Sequence, residues 1–345
     1  MRAAVLVEAN KIELKQVSGY SLSPDEALVR VMACGICPTD VRKFYGKSSC
    51  KLPIILGHEV GGQVTEVGDD VRTVRVNERV TIVPDISCGH CYYCLQNKFN
   101  YCLHLRSVGY GTDQIEPIDG GYSEYVKVPA SSLLSIPDTM SYEEATYVEP
   151  LSCAVRTLSR APFELDDSVG VIGDGRMGLL HLQLLKMLGL KEVYIIGIME
   201  DRLRLAEKLG GFTINANKES AADVIAKRSD RLNVVIDTTG DTAAINAAMS
   251  LLHSGGHLVL FASALSGSRI SLDPNMIHYR ELTITGSYGN GSKMEFVQAI
   301  DFISSKRVDV QSLTSHRKSL EELGEGFRLI GDRKGLRVII LPQAK

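Results

Sequence analysis

Between Val169 and Phe261 short apolar runs alternate with helical stretches of about ten residues, and few architectures accommodate that order. The runs Val169–Gly173, Val193–Ile196, Asn233–Asp237 and His257–Phe261 are rich in β-branched residues, as in strands covered on both faces. Met177–Leu188, Asp201–Leu209 and Thr242–Leu252 read as helices, the first two stopped by Gly189 and Gly210. The alternation predicts a parallel sheet with helices on both sides. Its first strand runs into Gly173-Asp174-Gly175-Arg176-Met177-Gly178, a G-x-G-x-x-G that opens the next helix. The first glycine suits a tight turn, the second lets backbone approach a pyrophosphate, and the third lets helix and strand pack closely. The helix N-terminus supplies free N–H groups to phosphate. Gly173, Gly175, Arg176, Met177 and Gly178 are therefore candidate dinucleotide contacts.

About twenty residues further on, the end of the second strand decides the cofactor, because a carboxylate there holds the ribose 2′-hydroxyl of NAD. That strand ends in Gly197, Glu200 and Asp201 come a few residues late, and Arg202 and Arg204 follow closely. A glycine with nearby arginines accommodates a 2′-phosphate. This favours NADP over NAD, with Gly197 and Arg202 as contacts.

The residues before Glu149 have a different texture. Ala27–Ala33, Gly62–Val67 and Arg79–Pro84 are β-rich runs punctuated by glycine, proline and aspartate, with no helix longer than about two turns, as in a barrel-like domain. After Gly286, Lys293–Lys306 carries apolar residues at 296, 300 and 303. Ser319 and Glu322 form a capping-box pattern ahead of Leu320, Leu323, Phe327 and Ile330, and Leu336–Leu341 reads as a closing strand. A length of 345 residues suits about two domains.

Charge narrows the partners. With 38 Lys and Arg against 41 Asp and Glu the net charge is −3, which speaks against nucleic-acid or anionic-membrane binding. No run approaches the ~18 apolar residues of a membrane span. The stretch Met1–Val7 is cut off by Glu8 too early for a signal peptide. A cytoplasmic protein is expected, and in a reducing compartment its 8 cysteines point to metal or catalysis.

Cys88, Cys91, Cys94 and Cys102 follow C-x2-C-x2-C-x7-C, and four thiolates so close in a polar loop can close a tetrahedral structural zinc site. Cys37, His58 and Glu59 supply a thiolate, an imidazole and a carboxylate, a set that suits a catalytic zinc with an open position; Glu149 is a fourth candidate. Asp40 is placed to hold the far nitrogen of His58. Cys34 and Cys37 also form a C-x2-C pair, but no thioredoxin-like βαβ pattern surrounds it.

These motifs keep a definite order: Gly35-Ile36-Cys37 with Thr39-Asp40, Gly57-His58-Glu59 with Gly62, the four-cysteine lobe, Asp119-Gly120-Gly121-Tyr122-Ser123-Glu124-Tyr125, and the glycine loop. Over essentially its whole length the chain resembles the zinc-containing medium-chain dehydrogenase/reductase family, of the alcohol dehydrogenase type. The resemblance implies an α/β protein. Residues 1–149 and 286–345 would form a GroES-like β-rich catalytic domain with a zinc lobe at 85–105. Residues 150–285 would form an inserted Rossmann domain with a doubly wound parallel sheet, and the active site would lie in the cleft between the two. Glu149-Pro150-Leu151-Ser152 resembles the sorbitol and polyol dehydrogenase branch.

By resemblance the chain is a zinc-dependent oxidoreductase that moves a hydride between NAD(P) and a secondary alcohol of a polyol, sugar or sugar acid. Cys37 and His58 are implied zinc ligands, Glu59 and Glu149 bind zinc or orient its water, and Thr39 takes the substrate proton. Two zincs per chain and a homodimer or homotetramer are implied, with His257–Ser263 and Leu282–Tyr288 at the contact. Two positions depart from relatives. Arg42 stands where a proton-relay histidine is common, and Asp85 stands where threonine dehydrogenases carry a histidine. The alternatives are an alcohol or threonine-type dehydrogenase, a zinc-free quinone or enoyl reductase, and a non-catalytic NAD(P)-binding protein.

Overall fold

The strand Glu26–Gly35 organises the β-rich part of the molecule. It pairs antiparallel with Glu59–Val67 along one edge, and with Tyr125–Pro129 and Val338–Ile340 along the other. The computed structural model describes residues 1–228 and 231–344. The chain forms two compact units, one of Met1–Ser152 with the residues from Asn290 onward, the other of Cys153–Gly289. In the first unit Val29, Val31, Val64, Val80 and Val126 face one core, closed by Phe327, Val338 and Ile340 from the C-terminal segment. Strand alternation puts these β-branched residues on a single face.

The C-terminal helices start where their caps allow. Lys293–Ser304 opens on a capping box of Ser292 and Glu295 and buries Phe296, Ala299 and Ile303. The Ser319–Glu322 pattern does not begin a helix at that point. Ser319 donates its N–H to Glu322 in a turn at 2.9 Å, and the helix runs from Leu323 to Gly331, burying Leu323 and Phe327 as the apolar spacing requires.

The second unit is a six-stranded parallel sheet. Numbered along the chain, its strands Ser168–Ile172, Glu192–Gly197, Phe212–Asn215, Leu232–Asp237, Leu252–Leu260 and Thr283–Gly286 lie in the order 3-2-1-4-5-6. The winding reverses beside the first strand, and ligands of such sheets bind at that switch point. Among the described residues no helix is long and apolar enough to cross a membrane.

One helix of this unit carries a buried titratable group. His181, in Arg176–Met187, donates from Nδ1 to the Met177 carbonyl at 2.7 Å and meets the Phe261 ring edge-on at 4.9 Å. Burial drives its pKa down to about 4. The native state therefore keeps a neutral imidazole that the unfolded chain protonates below pH ~6.5. Its contribution to stability is complete above pH ~6.5 and is lost as the pH falls toward 4, by about 3 kcal/mol in all. His181→Leu should flatten the fall in unfolding free energy between pH 7 and 4.5 by about 2–3 kcal/mol, measured by urea titration. An unchanged pH slope in the variant would show that His181 titrates normally.

Candidate active site

Register brings the metal-ligating residues together. Gly35 lies opposite Glu59 on one neighbouring strand and opposite Ile339 on the other. Cys37, His58 and Arg337 therefore leave the sheet at the same end. Three candidate ligand atoms gather there: the Cys37 sulfur, a His58 nitrogen and a Glu59 carboxylate oxygen all lie within 4.8 Å of one another. His58 and Glu59 are buried and Cys37 is half-buried. The donor set suits zinc and leaves room for a further ligand. Glu149 is in the helix Val148–Leu158 and does not lie within that distance of all three.

Asp40 fixes the cluster from behind. The helix Pro38–Phe44 begins after Cys37, and the Asp40 carboxylate folds back to accept the Cys37 N–H at 3.1 Å, as N-terminal acids do. The same oxygen accepts the Tyr122 hydroxyl at 2.7 Å. Its other oxygen lies 3.3 Å from His58 Nδ1, off the line of a hydrogen bond. Burial disfavours a charged His58, but the fields of Asp40 and Cys37 outweigh it and raise the pKa well above the ordinary histidine range. Without a cation the cluster thus tends to hold a proton, and a metal would displace it. Thr39 is exposed in the first turn of the same helix, and Arg42 is half-buried in its last.

Arg337 is the member that sequence reasoning missed. It is fully buried and ion-paired to Glu59. It also donates to the Thr146 carbonyl at 2.7 Å and lies over the Tyr147 ring, 4.7 Å from its centroid. Gly35 makes room for it, since a Cβ there would sit 1.7 Å from the guanidinium. Nothing local in the sequence marks Arg337; strand pairing alone reveals it.

Beside the cluster, the Tyr110 ring meets His58 edge-on at 5.4 Å. Its hydroxyl and that of Ser107 donate to one oxygen of Asp85, the residue that departs from threonine dehydrogenases.

The four-cysteine lobe is assembled as its spacing predicts. The sulfurs of Cys88, Cys91, Cys94 and Cys102 all lie within 4.8 Å of one another. Cys91 is 3.5 Å from Cys94 and 3.9 Å from Cys102, too far for disulfides. The N–H groups of Cys88 and His104 point at the Cys102 sulfur, at 3.3 and 3.4 Å. Backbone hydrogen bonds, from Leu103 above all, pull the Cys91 pKa down to about 6, which favours the thiolate that zinc requires.

In the second unit the glycine loop has the shape of a phosphate cradle. Gly173 has φ +117°, open only to glycine, and a Cβ on Gly178 would lie 1.9 Å from the Gly173 carbonyl. Gly175, just before the helix Arg176–Met187, faces open space, with nothing within 4 Å of a Cβ built there. A dinucleotide pyrophosphate fits that gap. Arg176 is buried and Met177 half-buried at the helix start. At the next strand end a Cβ on Gly197 would collide with Asp174, at 2.5 Å from Oδ2. Asp174 Oδ2 accepts the N–H groups of Ile198 and Met199, at 2.6 and 2.7 Å, and its Oδ1 lies 3.9 Å from Arg202.

Comparison with known proteins agrees with this geometry. Residues 23–138 match the family model for the alcohol dehydrogenase GroES-like domain, and residues 177–305 match the zinc-binding dehydrogenase model. A D-arabitol-phosphate dehydrogenase from Enterococcus avium is 33% identical across 92% of this chain and 90% of its own. An L-threonine 3-dehydrogenase from Bacillus velezensis is 30% identical across 95% of both. Among solved structures, a zinc-binding dehydrogenase from Sinorhizobium meliloti bound to NADP superposes with a TM-score of 0.92 at 29% identity, covering 99% of each chain.

Proposed function

Because the chain belongs to the zinc-containing medium-chain dehydrogenase family, of the alcohol and polyol type, we propose that it oxidises a secondary alcohol of a polyol, sugar or sugar acid with NAD(P). The observation that carries this reading is the convergence of Cys37, His58 and Glu59 within 4.8 Å. When bound, zinc lowers the pKa of the substrate hydroxyl and the nicotinamide accepts the hydride.

The rest falls to the chain. Cys37 and His58 hold the metal, Asp40 sets the imidazole's orientation, and Arg337 holds the Glu59 carboxylate in place. Glu149 acts from farther off, orienting water toward the metal. Thr39, exposed on the helix that begins beside Cys37, accepts the substrate proton. Arg42 keeps its charge near neutral pH and cannot serve as the next base. A second zinc sits on the four lobe cysteines and is structural. The second reading, favoured by the threonine dehydrogenase relative, is oxidation of an amino-acid side-chain hydroxyl.

A screen of polyols, sugars, sugar acids and L-threonine, following nicotinamide absorbance, separates these substrates; turnover of none of the first three would overturn the proposal. Metal analysis should find two zincs per chain. Cys91→Ser should leave one, cost at least ~3 kcal/mol of stability and spare kcat within a few-fold, since structural zinc supplies folding energy. Wild-type zinc content and Tm in that variant would show that the lobe holds no metal.

A further inference from the structure

The strand end that lacks an acid in the sequence has one in space. The parallel pairing of Ile172 with Ile196 carries the glycine loop across the end of Glu192–Gly197, and the Gly173 N–H closes on the Ile196 carbonyl at 2.8 Å. The next side chain, Asp174, then lies over Gly197. We infer that Asp174 is the specificity-determining carboxylate of the nucleotide site. It replaces, from the glycine loop, the acid that such folds carry at the end of the second strand, and it selects NAD over NADP. This rests on the dehydrogenase reading above.

Three observations converge. First, Asp174 and a side chain at 197 exclude each other, because a Cβ on Gly197 would lie 2.5 Å from Asp174 Oδ2 and 2.6 Å from its Cβ. The glycine that favours a 2′-phosphate in the sequence is thus the space the aspartate occupies. Second, the N–H groups of Ile198 and Met199, which could hold a phosphate, are both taken by Asp174 Oδ2. Oδ1 faces Arg202 at 3.9 Å, so the arginine suited to a 2′-phosphate already answers a carboxylate. Third, Glu200, the first acid after the strand end, is turned away: it binds Asn215 and pairs with Lys218 at 2.7 Å. A ribose 2′-hydroxyl can donate to Oδ1. A 2′-phosphate meets the Asp174 carboxylate and finds the Ile198 and Met199 N–H groups already taken.

Calorimetry with NAD and with NADP tests the assignment on the full-length zinc-loaded protein. Wild type should bind NAD on the order of 100-fold more tightly, the scale a carboxylate a few ångströms from a phosphate imposes. Asp174→Asn keeps one acceptor oxygen for the Ile198 and Met199 N–H groups and removes the charge, so it should narrow the ratio at least ~10-fold, mainly through tighter NADP binding. Gly197→Asp alone should weaken both nucleotides by collision with Asp174. The double variant Asp174→Gly with Gly197→Asp should restore the NAD preference. Wild type binding NADP as tightly as NAD would overturn the inference. So would an Asp174→Asn variant that loses both nucleotides equally, for the aspartate would then serve only the loop. Polyol turnover is read separately. A protein that prefers NAD in this Asp174-dependent way and oxidises no polyol sinks the substrate proposal and upholds this one.

Discussion

His58→Ala and Cys37→Ala should each lower kcat at least ~1,000-fold. Among the described residues three candidate ligand atoms converge at this end of the sheet, so losing one leaves two, too few to hold a catalytic metal. His58→Ala also removes the imidazole that faces one oxygen of the fully buried Asp40 carboxylate. Dinucleotide binding should persist, because Gly173, Gly175 and Gly178 belong to the other unit of the chain. Metal analysis should show zinc falling from two per chain to one. Turnover within about tenfold of wild type would remove the metal from the mechanism. Loss of dinucleotide binding in step with kcat would mean that the substitutions unfold the protein rather than empty one site.

Arg337→Leu should destabilise the protein by about 3–5 kcal/mol, the cost of leaving one partner of a buried ion pair unanswered. Neither Arg337 nor Glu59 has solvent access, so water cannot compensate the stranded carboxylate. The Thr146 carbonyl also loses its donor and the Tyr147 ring its cation. Adding Glu59→Gln removes the stranded charge and should recover a large part of the loss, which separates charge from packing. Gly35→Ala should reproduce much of the effect without touching either charge. Its methyl would lie 1.7 Å from a buried guanidinium held by Glu59 and the Thr146 carbonyl. Urea unfolding of the zinc-loaded proteins measures all three. A cost below ~1 kcal/mol for Arg337→Leu would place the pair among ornamental contacts.

What the sequence revealed followed the range of its signals. The cysteine lobe and the glycine loop are local patterns, and their residues come together as their spacing requires. Cys37 and His58 were legible because each stands in a short motif, although their proximity depends on the pairing of Gly35 with Glu59. Arg337 was not legible. It is one of 38 Lys and Arg, and its partner lies 278 residues away. The end of the second strand shows the same limit of range. A reading along the chain looks for an acid at 197, whereas Asp174 reaches that place from 23 positions earlier by crossing a parallel ladder. The strand Phe212–Asn215 escaped notice because it has four residues, directly after two glycines. The turn at Ser319 looked like a helix start because its Glu makes half of a capping box.

The order in which a ribosome releases this chain gives the Arg337–Glu59 pair a further meaning. Residues 153–289 emerge as one uninterrupted stretch and can close their own sheet during synthesis. The strand Glu26–Gly35 has to wait for Val338–Ile340, and Glu59 meets Arg337 only after 278 more residues have been added. A chain interrupted between Glu59 and Arg337 carries Cys37, His58 and Glu59 but lacks the cation that pairs with Glu59. The metal cluster is thereby expected to take its final form only after the long central stretch has been made, whatever the order in which its own ligands appear.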